Sequence, residues 1–170
     1  MRATLTLTLS IGGLLVTPAY AATLDVTVEI PKLNVAEYHR PYVAIWIEGA
    51  DAQAVRDLAV WYQSKSTNEG HGTKWLPDLR QWWRKSGRNA QLPIDGVTGP
   101  TRPTGEHALS FGPTQLRDLK PGQYTLVVEA AREVGGRELL KLPFQWGGAA
   151  QQAKAQGKDE LGAVTLAVRP

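Results

Sequence analysis

Alternation of apolar and polar residues, which is typical of a half-buried β-strand, is the main pattern of the chain. It is clearest over residues 23–30, where every second residue is Leu, Val or Ile and the residues between are polar. Similar runs bounded by Gly, Pro or Asp predict further strands, with the first ones as consecutive antiparallel neighbours. These strands are predicted at 42–48, 55–62, 123–130, 139–144 and 161–168. Short strands separated by turns favour an all-β, immunoglobulin-like antiparallel sandwich over an α/β fold.

Two segments depart from this alternation. Leu76, Leu79 and Trp83 follow the i, i+3, i+7 spacing of a helix. Pro and Asp near the start and basic residues near the end suit the first and last turns. We therefore predict one short helical insertion at about 75–86, with an apolar stripe that caps the sandwich. Residues 147–158 are small, polar and without period, which predicts a loose surface loop.

The first residues have the three parts of a secretory signal peptide. Arg2 supplies the positive charge, residues 5–16 form an apolar core, and Ala19 and Ala21 make an A-x-A cleavage site. A buried N-terminal strand or helix is the alternative. Cleavage after Ala21 would leave residues 22–170 as a single exported β-sandwich domain. No later segment approaches the roughly 18 apolar residues of a transmembrane helix, so a periplasmic protein that does not span the membrane is expected.

Composition excludes several kinds of chemistry. The 170 residues include no cysteine, so disulfides, thiolate nucleophiles and cysteine-ligated metals are excluded. The formal charge of +3 falls short of the basic stripe that nucleic-acid binding needs. The three histidines share no metal-binding spacing, and no hydrolase motif occurs. Neither a metal site, a catalytic centre nor a nucleic-acid partner is predicted.

Tryptophan is unusually frequent, with six residues in the chain. Three of them, Trp75, Trp82 and Trp83, lie in the predicted insertion, and Arg80 and Arg84 lie among them. Cations beside flat aromatic faces suit a planar anionic ligand, through stacking and ion pairing. The alternative is that the tryptophans pack the helix against the sandwich while the charges face solvent.

A seven-residue turn, D-G-V-T-G-P-T, begins at Asp95. It resembles the motif D-[GA]-x-[ST]-G-A-T of exported flavoproteins, in which a flavin transferase attaches FMN through a phosphoester to the last threonine. The resemblance implies Thr101 as the acceptor of covalent FMN, with Asp95, Thr98 and Gly99 completing the site. Pro100 stands where the motif has Ala, and proline removes a backbone donor and fixes φ. A plain inter-strand loop is the alternative.

The resemblance to known proteins extends along most of the chain. The matching segments are residues 41–48, 74–83, 95–102, 121–126, 129–133 and 136–140. On these segments the chain resembles the predicted periplasmic proteins grouped as domain of unknown function 2271. Such proteins tend to be encoded with flavin transferases and with membrane proteins that carry PepSY-type reductase domains, often in iron-acquisition contexts.

Two functions follow from these observations. The resemblance implies a periplasmic electron carrier bearing FMN, with a flavin transferase and a membrane-bound PepSY-type reductase as partners. The tryptophan- and arginine-rich segment instead suits a binding or adaptor module without a cofactor. Because no catalytic constellation occurs, we expect a carrier or a binding module rather than an enzyme.

Overall fold

The computed structural model describes residues 22–65 and 70–170, so the predicted signal peptide lies outside the described residues. In these residues nine strands form two sheets, one in the order β5-β1-β9-β8 and one in the order β4-β3-β2-β6-β7. The strands are β1 (Thr23–Ile30), β2 (Tyr42–Glu48), β3 (Ala54–Trp61), β4 (Thr98–Gly99), β5 (Gly105–Phe111), β6 (Gly122–Ala131), β7 (Arg137–Trp146), β8 (Gln151–Gln156) and β9 (Ala163–Arg169).

The main core lies between the two sheets. In β1, Leu24 and Val28 are fully buried, while the polar residues between them stay partly exposed. They belong to one apolar cluster with Ile45 of β2, Val128 of β6 and Val164 of β9. The predicted all-β sandwich is confirmed, and the pairs are antiparallel except for β3 with β4.

Strand placement differs from the prediction in three ways. The first two strands are not neighbours, because β1 and β2 lie in different sheets, whereas β2 and β3 do pair. The predicted loop over 147–158 is wrong, since β8 runs through it as an edge strand against β9. Its Ala153 and Ala155 pack against the main core. Strand β5, which the alternation did not predict, forms the other edge.

The helical insertion is segmented. A 3-10 helix (Gly72–Asp78), helix α1 (Arg80–Lys85) and a second 3-10 helix (Gly87–Asn89) follow one another. It covers the outer face of the five-stranded sheet, where its buried side chains form a second apolar cluster with that sheet. Trp82, rather than Trp83, completes the buried stripe, because the change of helix type at Leu79 alters the phase of the side chains.

One further short helix, α2 (Pro113–Leu116), follows β5, and its Leu116 packs into the main core. Gly112 precedes it, and the Gly112 N–H donates to the Gln115 side chain at 3.1 Å. None of the helices in the described part of the chain is long and apolar enough to cross a membrane.

Candidate functional site

A buried carboxylate fixes the start of α1 over the sheet. Glu129 of β6 is fully buried, and it accepts the backbone N–H groups of Gln81 at 3.1 Å and of Trp82 at 2.9 Å. The Arg137 guanidinium of β7 pairs with the same carboxylate. Unpaired N–H groups at a helix start favour a negative charge, so this arrangement sets the position of α1.

The carboxylate of Glu48 holds the far end of α1. Glu48 accepts Trp46 Nε1–H at 3.0 Å and pairs with Lys85 Nζ at 2.6 Å and Lys141 Nζ at 3.3 Å. Burial alone raises the pKa of Glu48, but the hydrogen bonds from Lys85 and Trp46 and the lysine charges outweigh it, so the pKa is lowered.

At Asp57, by contrast, the effect of burial on the pKa outweighs that of the hydrogen bonds. Asp57 accepts Trp82 Nε1–H at 3.1 Å. Burial raises the pKa of Asp57, because the hydrogen bonds from Ser86 and Trp82 offset it only in part. Trp82 is therefore tied to the sheet by its indole N–H as well as by its ring.

A cleft of about 270 Å³ opens beside this insertion. Its walls come from the β1–β2 connection and the start of β2, the segment after β3, the first 3-10 helix, the loop after β4, and the end of β6 with the turn that follows it. The floor is tightly packed, since Tyr42 donates to the Gly72 carbonyl at 3.1 Å and a Cβ on Gly72 would lie 2.2 Å from the Gln63 carbonyl oxygen. The lining residues are Tyr38, His39, Arg40, Tyr42, Gln63, Trp75, Asp78, Thr101, Ala131 and Glu133.

Thr101 reaches this cleft from a well-anchored loop. Strand β4 pairs in parallel with β3, and the Tyr62 N–H donates to the Gly99 carbonyl at 3.0 Å. The Thr98 hydroxyl accepts the Ile94 N–H at 2.8 Å, which closes the turn before the strand. On the far side, the Arg102 guanidinium lies 5.3 Å from the Trp61 ring. The loop therefore holds Thr101 between two fixed points.

The structure divides the predicted site residues. It brings Thr101 and Trp75 together on the cleft. Asp95 is exposed in the turn, whereas Thr98 and Gly99 form β4 and fix the shape of the loop.

The rest of the predicted ligand face is also divided. Trp83, Arg80 and Arg84 line a separate shallow depression together with Arg137. Trp82 is fully buried in the outer cluster, where it packs and cannot present its ring to a ligand.

Aromatic and charged groups surround the mouth of the cleft. Lys74 Nζ lies 4.7 Å from the Trp75 ring centre, and His39 lies 2.9 Å from Glu37 and 3.6 Å from Glu133. Burial raises the pKa of the Tyr38 hydroxyl, and the charges of Arg132 and Arg40 oppose that rise. Flat rings beside cations can hold a planar ligand that carries negative charge.

Two exposed apolar side chains, Tyr38 and Trp75, line the cleft itself. Among the described residues, the large hydrophobic side chains that are exposed are Val35, Tyr38, Trp75 and Val134. They come from three segments that also line the cleft, namely the β1–β2 connection, the first 3-10 helix and the β6–β7 turn. Exposed apolar side chains such as Tyr38 and Trp75 suit contact with another molecule.

No metal centre is assembled in the part of the chain that the structure describes. That part holds no group of three or more His, Asp or Glu residues that could bind a metal ion. His39 lies at the cleft, and His107 lies against Trp61 with a ring separation of 5.7 Å.

A family's sequence model matches residues 23–163, and it describes predicted periplasmic proteins. The chain belongs to the DUF2271 family. No curated protein and no solved structure matches the chain. The family match includes every residue that lines the cleft and the whole Asp95–Thr101 turn.

Most cleft residues of this DUF2271 protein were missed in the sequence because no local pattern unites them. Tyr38 and Arg40 come from the connection before β2 and Tyr42 begins that strand, while Asp78 and Glu133 lie far along the chain. One signal was available, because the connection over residues 31–41 is too long for a simple hairpin. Long connections are where binding residues concentrate.

Proposed function

We propose that this protein is a periplasmic electron carrier that holds FMN covalently on Thr101. A flavin transferase attaches the FMN, and a membrane-bound PepSY-type reductase exchanges electrons with it. The observation that carries the proposal is the position of Thr101, the acceptor of the motif, on a cleft lined by three aromatic rings and by Arg40. An iron-acquisition setting, drawn from the family resemblance, stays a prediction.

The residues of the cleft fit such a group. Tyr38, Tyr42 and Trp75 offer aromatic surfaces to a flat ring system, and Arg40 offers a positive charge. A volume of about 270 Å³ lies just below the usual range for small-molecule sites, which begins near 300 Å³. It suits a ring system tethered by its phosphate better than a free nucleotide. When bound, FMN supplies the redox chemistry and the protein supplies position and polarity.

Pro100 is compatible with the fold of this loop. The pairing of β4 ends at Gly99, and Pro100 is exposed, so the sheet requires no N–H at position 100. Any effect of having Pro100 in place of the alanine of the motif therefore falls on recognition by the transferase. The exposed side chains of Tyr38 and Trp75 support contact with a larger partner at the cleft.

The second candidate function is a binding or adaptor module without a cofactor. The shallow depression formed by Trp83, Arg80 and Arg84 favours it, because these side chains combine an aromatic ring with two cations. The burial of Trp82 reduces the aromatic area that this face offers. The electron-carrier proposal is the better supported because it also accounts for the Asp95–Thr101 motif.

The intact mass of the exported protein, produced with an active flavin transferase, tests the proposal. We expect the wild-type mass to rise by one FMN less one water, and Thr101→Ala to abolish the increase. Thr104→Ala is the matched control, since Thr104 is exposed in the same loop but outside the motif. Pro100→Ala, which restores the residue of the motif, should raise the modified fraction.

Two results would contradict this proposal. An increase that survives Thr101→Ala would place the flavin elsewhere. An unmodified mass for both wild type and Pro100→Ala, with the transferase active on another substrate, would leave the binding module as the better function.

A further inference from the structure

Three arginines meet in a depression next to the cleft. Arg80, Arg132 and Arg137 line a space of about 340 Å³, in which Asp78 is the acidic lining residue. Asp78 and Ala131 line both this depression and the Thr101 cleft, so the two spaces adjoin. The region therefore places three guanidinium groups, two of them paired with carboxylates, next to an aromatic cleft.

Some N–H donors of these three guanidinium groups are not used by hydrogen bonds within the described part of the protein. Arg132 has a side chain only 5% exposed, and its Nε and Nη2 bind Glu160 at 2.8 and 3.1 Å. Its Nη1 is buried and has no hydrogen-bond partner. Arg137 uses Nε for Glu129, and Arg80 makes no ion pair among the residues that the structure describes. A buried donor without an acceptor is unfavourable, and a bound oxyanion would supply one.

The turn between β6 and β7 keeps Arg132 in place. Glu160 also accepts the Gly136 N–H at 2.7 Å, so one carboxylate joins the turn and the guanidinium. Gly135 N–H donates to the Arg132 carbonyl at 3.0 Å, and a Cβ on Gly135 would lie 2.5 Å from Arg132 Cζ. The donors of Arg132 are therefore fixed before any ligand arrives, which lowers the entropic cost of binding.

We propose that this depression, which we call the arginine subsite (Arg80, Arg132 and Arg137), binds the phosphate or carboxylate group of a small organic ligand whose apolar part lies toward the cleft. A small ligand is favoured over an acidic protein surface because Arg132 is too buried for a broad surface to reach. Planar, paired donors of arginine match both oxyanions. The subsite does not depend on a flavin at Thr101.

A titration followed by NMR tests the subsite in the exported protein made without flavin transferase. Phenyl phosphate and benzoate are the two anionic probes, and benzyl alcohol is the neutral comparison. At low ionic strength, we expect an anionic probe to shift the arginine side-chain N–H signals of Arg80, Arg132 and Arg137 in a saturable manner. A response to phenyl phosphate alone assigns a phosphate ligand, one to benzoate alone a carboxylate ligand, and one to both the shared oxyanion chemistry.

Charge-matched variants separate this subsite from general attraction. Arg80→Gln should weaken the binding of the responding probe about five- to ten-fold, the loss of one charge-assisted hydrogen bond. Arg88→Gln removes the same charge from an exposed position that does not line the depression, and it should leave the affinity nearly unchanged. Arg80 is exposed, so its replacement should not unfold the protein.

Three results would overturn the subsite. One is the absence of any shift at these arginines with either anion. Another is an equal loss of affinity in Arg80→Gln and Arg88→Gln, which would indicate attraction by net charge. The third is an equal response to benzyl alcohol, which would show that the anionic group is not recognised. Each result is independent of the mass experiment on Thr101, because the titration uses unmodified protein.

Discussion

The two faces of the five-stranded sheet are buried in different ways. Val128 on the inner face packs among apolar side chains of the opposite sheet. The next residue, Glu129, points to the outer face, where it is equally buried but is held by N–H groups and by Arg137. One step along a strand thus separates an apolar core from a core that contains ionic and hydrogen-bonding groups.

This difference explains how a short insertion stays in place. Apolar burial is proportional to area and has little direction, so it suits two large sheets. Helix α1 has six residues, too few to be stable alone in water. Glu129 at its start and Glu48 at its last residue, Lys85, fix its position and orientation by directional bonds. The first 3-10 helix, which carries Trp75 to the cleft, is joined to α1 through the single residue Leu79 and shares that anchoring.

The largest expected effect comes from emptying the outer cluster. Trp82→Ala should cost about 3–5 kcal/mol in the free energy of unfolding, as large aromatic truncations do. Because Trp82 belongs to the outer cluster, the loss should appear first as faster hydrogen exchange of the amides in the insertion, 72–89. Phe144→Ala, in the main core, should cost a similar amount but expose amides of both sheets.

Hydrogen exchange read by mass spectrometry checks this contrast. If Trp82→Ala and Phe144→Ala raised exchange in the same segments to the same extent, the two cores would form one cooperative unit. The separation drawn between the two faces of the sheet would then be wrong.

The same contrast decides what could be predicted from the sequence. In β1 the alternation of Leu and Val with polar residues reports burial on one face, so the strand follows from local pattern. In β8 the sequence QQAKAQ has only two alanines to mark its inner face, and its partner β9 decides the structure. Likewise, Glu129 carries no local sign that it is buried, because its partners lie on α1 and β7.

The residues of the candidate site also differ in whether a local sequence pattern identifies them. Thr101 was identified from a contiguous motif, and Trp75 from a local concentration of tryptophans. Tyr38 and Glu133 reach the cleft only through the pairing of distant strands, which a single sequence does not encode locally. The concentration of tryptophans and arginines also suggests Trp82 for the ligand face, but the change of helix geometry at Leu79, which side-chain spacing does not reveal, turns Trp82 into the outer cluster.

A smaller effect should appear in the pH dependence of stability, with opposite signs at Glu48 and Asp57. The pKa of Glu48 is lowered from its ordinary value of 4.5, so its contribution is fully present above about pH 4.5 and is lost as the pH falls through the folded pKa. The pKa of Asp57 is raised, so the folded state holds its proton more tightly and loses stability as the pH rises through that pKa.

Thermal unfolding measured from about pH 3 to pH 7 separates the two carboxylates. Glu48→Gln should flatten the loss of stability on the acid side, and Asp57→Asn should steepen it by removing the opposing contribution. Parallel curves for wild type and Glu48→Gln would mean that Glu48 does not couple protonation to folding.

Replacing Trp75 should have the smallest effect on stability, yet it tests most directly whether the cleft is open to solvent. The Trp75 side chain is 40% exposed, so Trp75→Phe should change the free energy of unfolding by no more than about 0.5 kcal/mol. The variant should nevertheless lose the largest share of tryptophan fluorescence that acrylamide can quench. Trp82→Phe is the matched control, because Trp82 is fully buried and its removal should leave the quenchable share intact.

The two tryptophans thus distinguish the surfaces of a single insertion. If Trp75 forms a wall of a ligand-binding cleft, solvent must reach its ring. If Trp82 anchors the insertion, solvent must not reach its ring. Unchanged quenching in Trp75→Phe would mean that the cleft is covered in solution, and the aromatic support for a planar ligand beside Thr101 would be lost. Reduced quenching in Trp82→Phe would mean that the insertion opens readily, and the cleft wall attached to it would then be mobile.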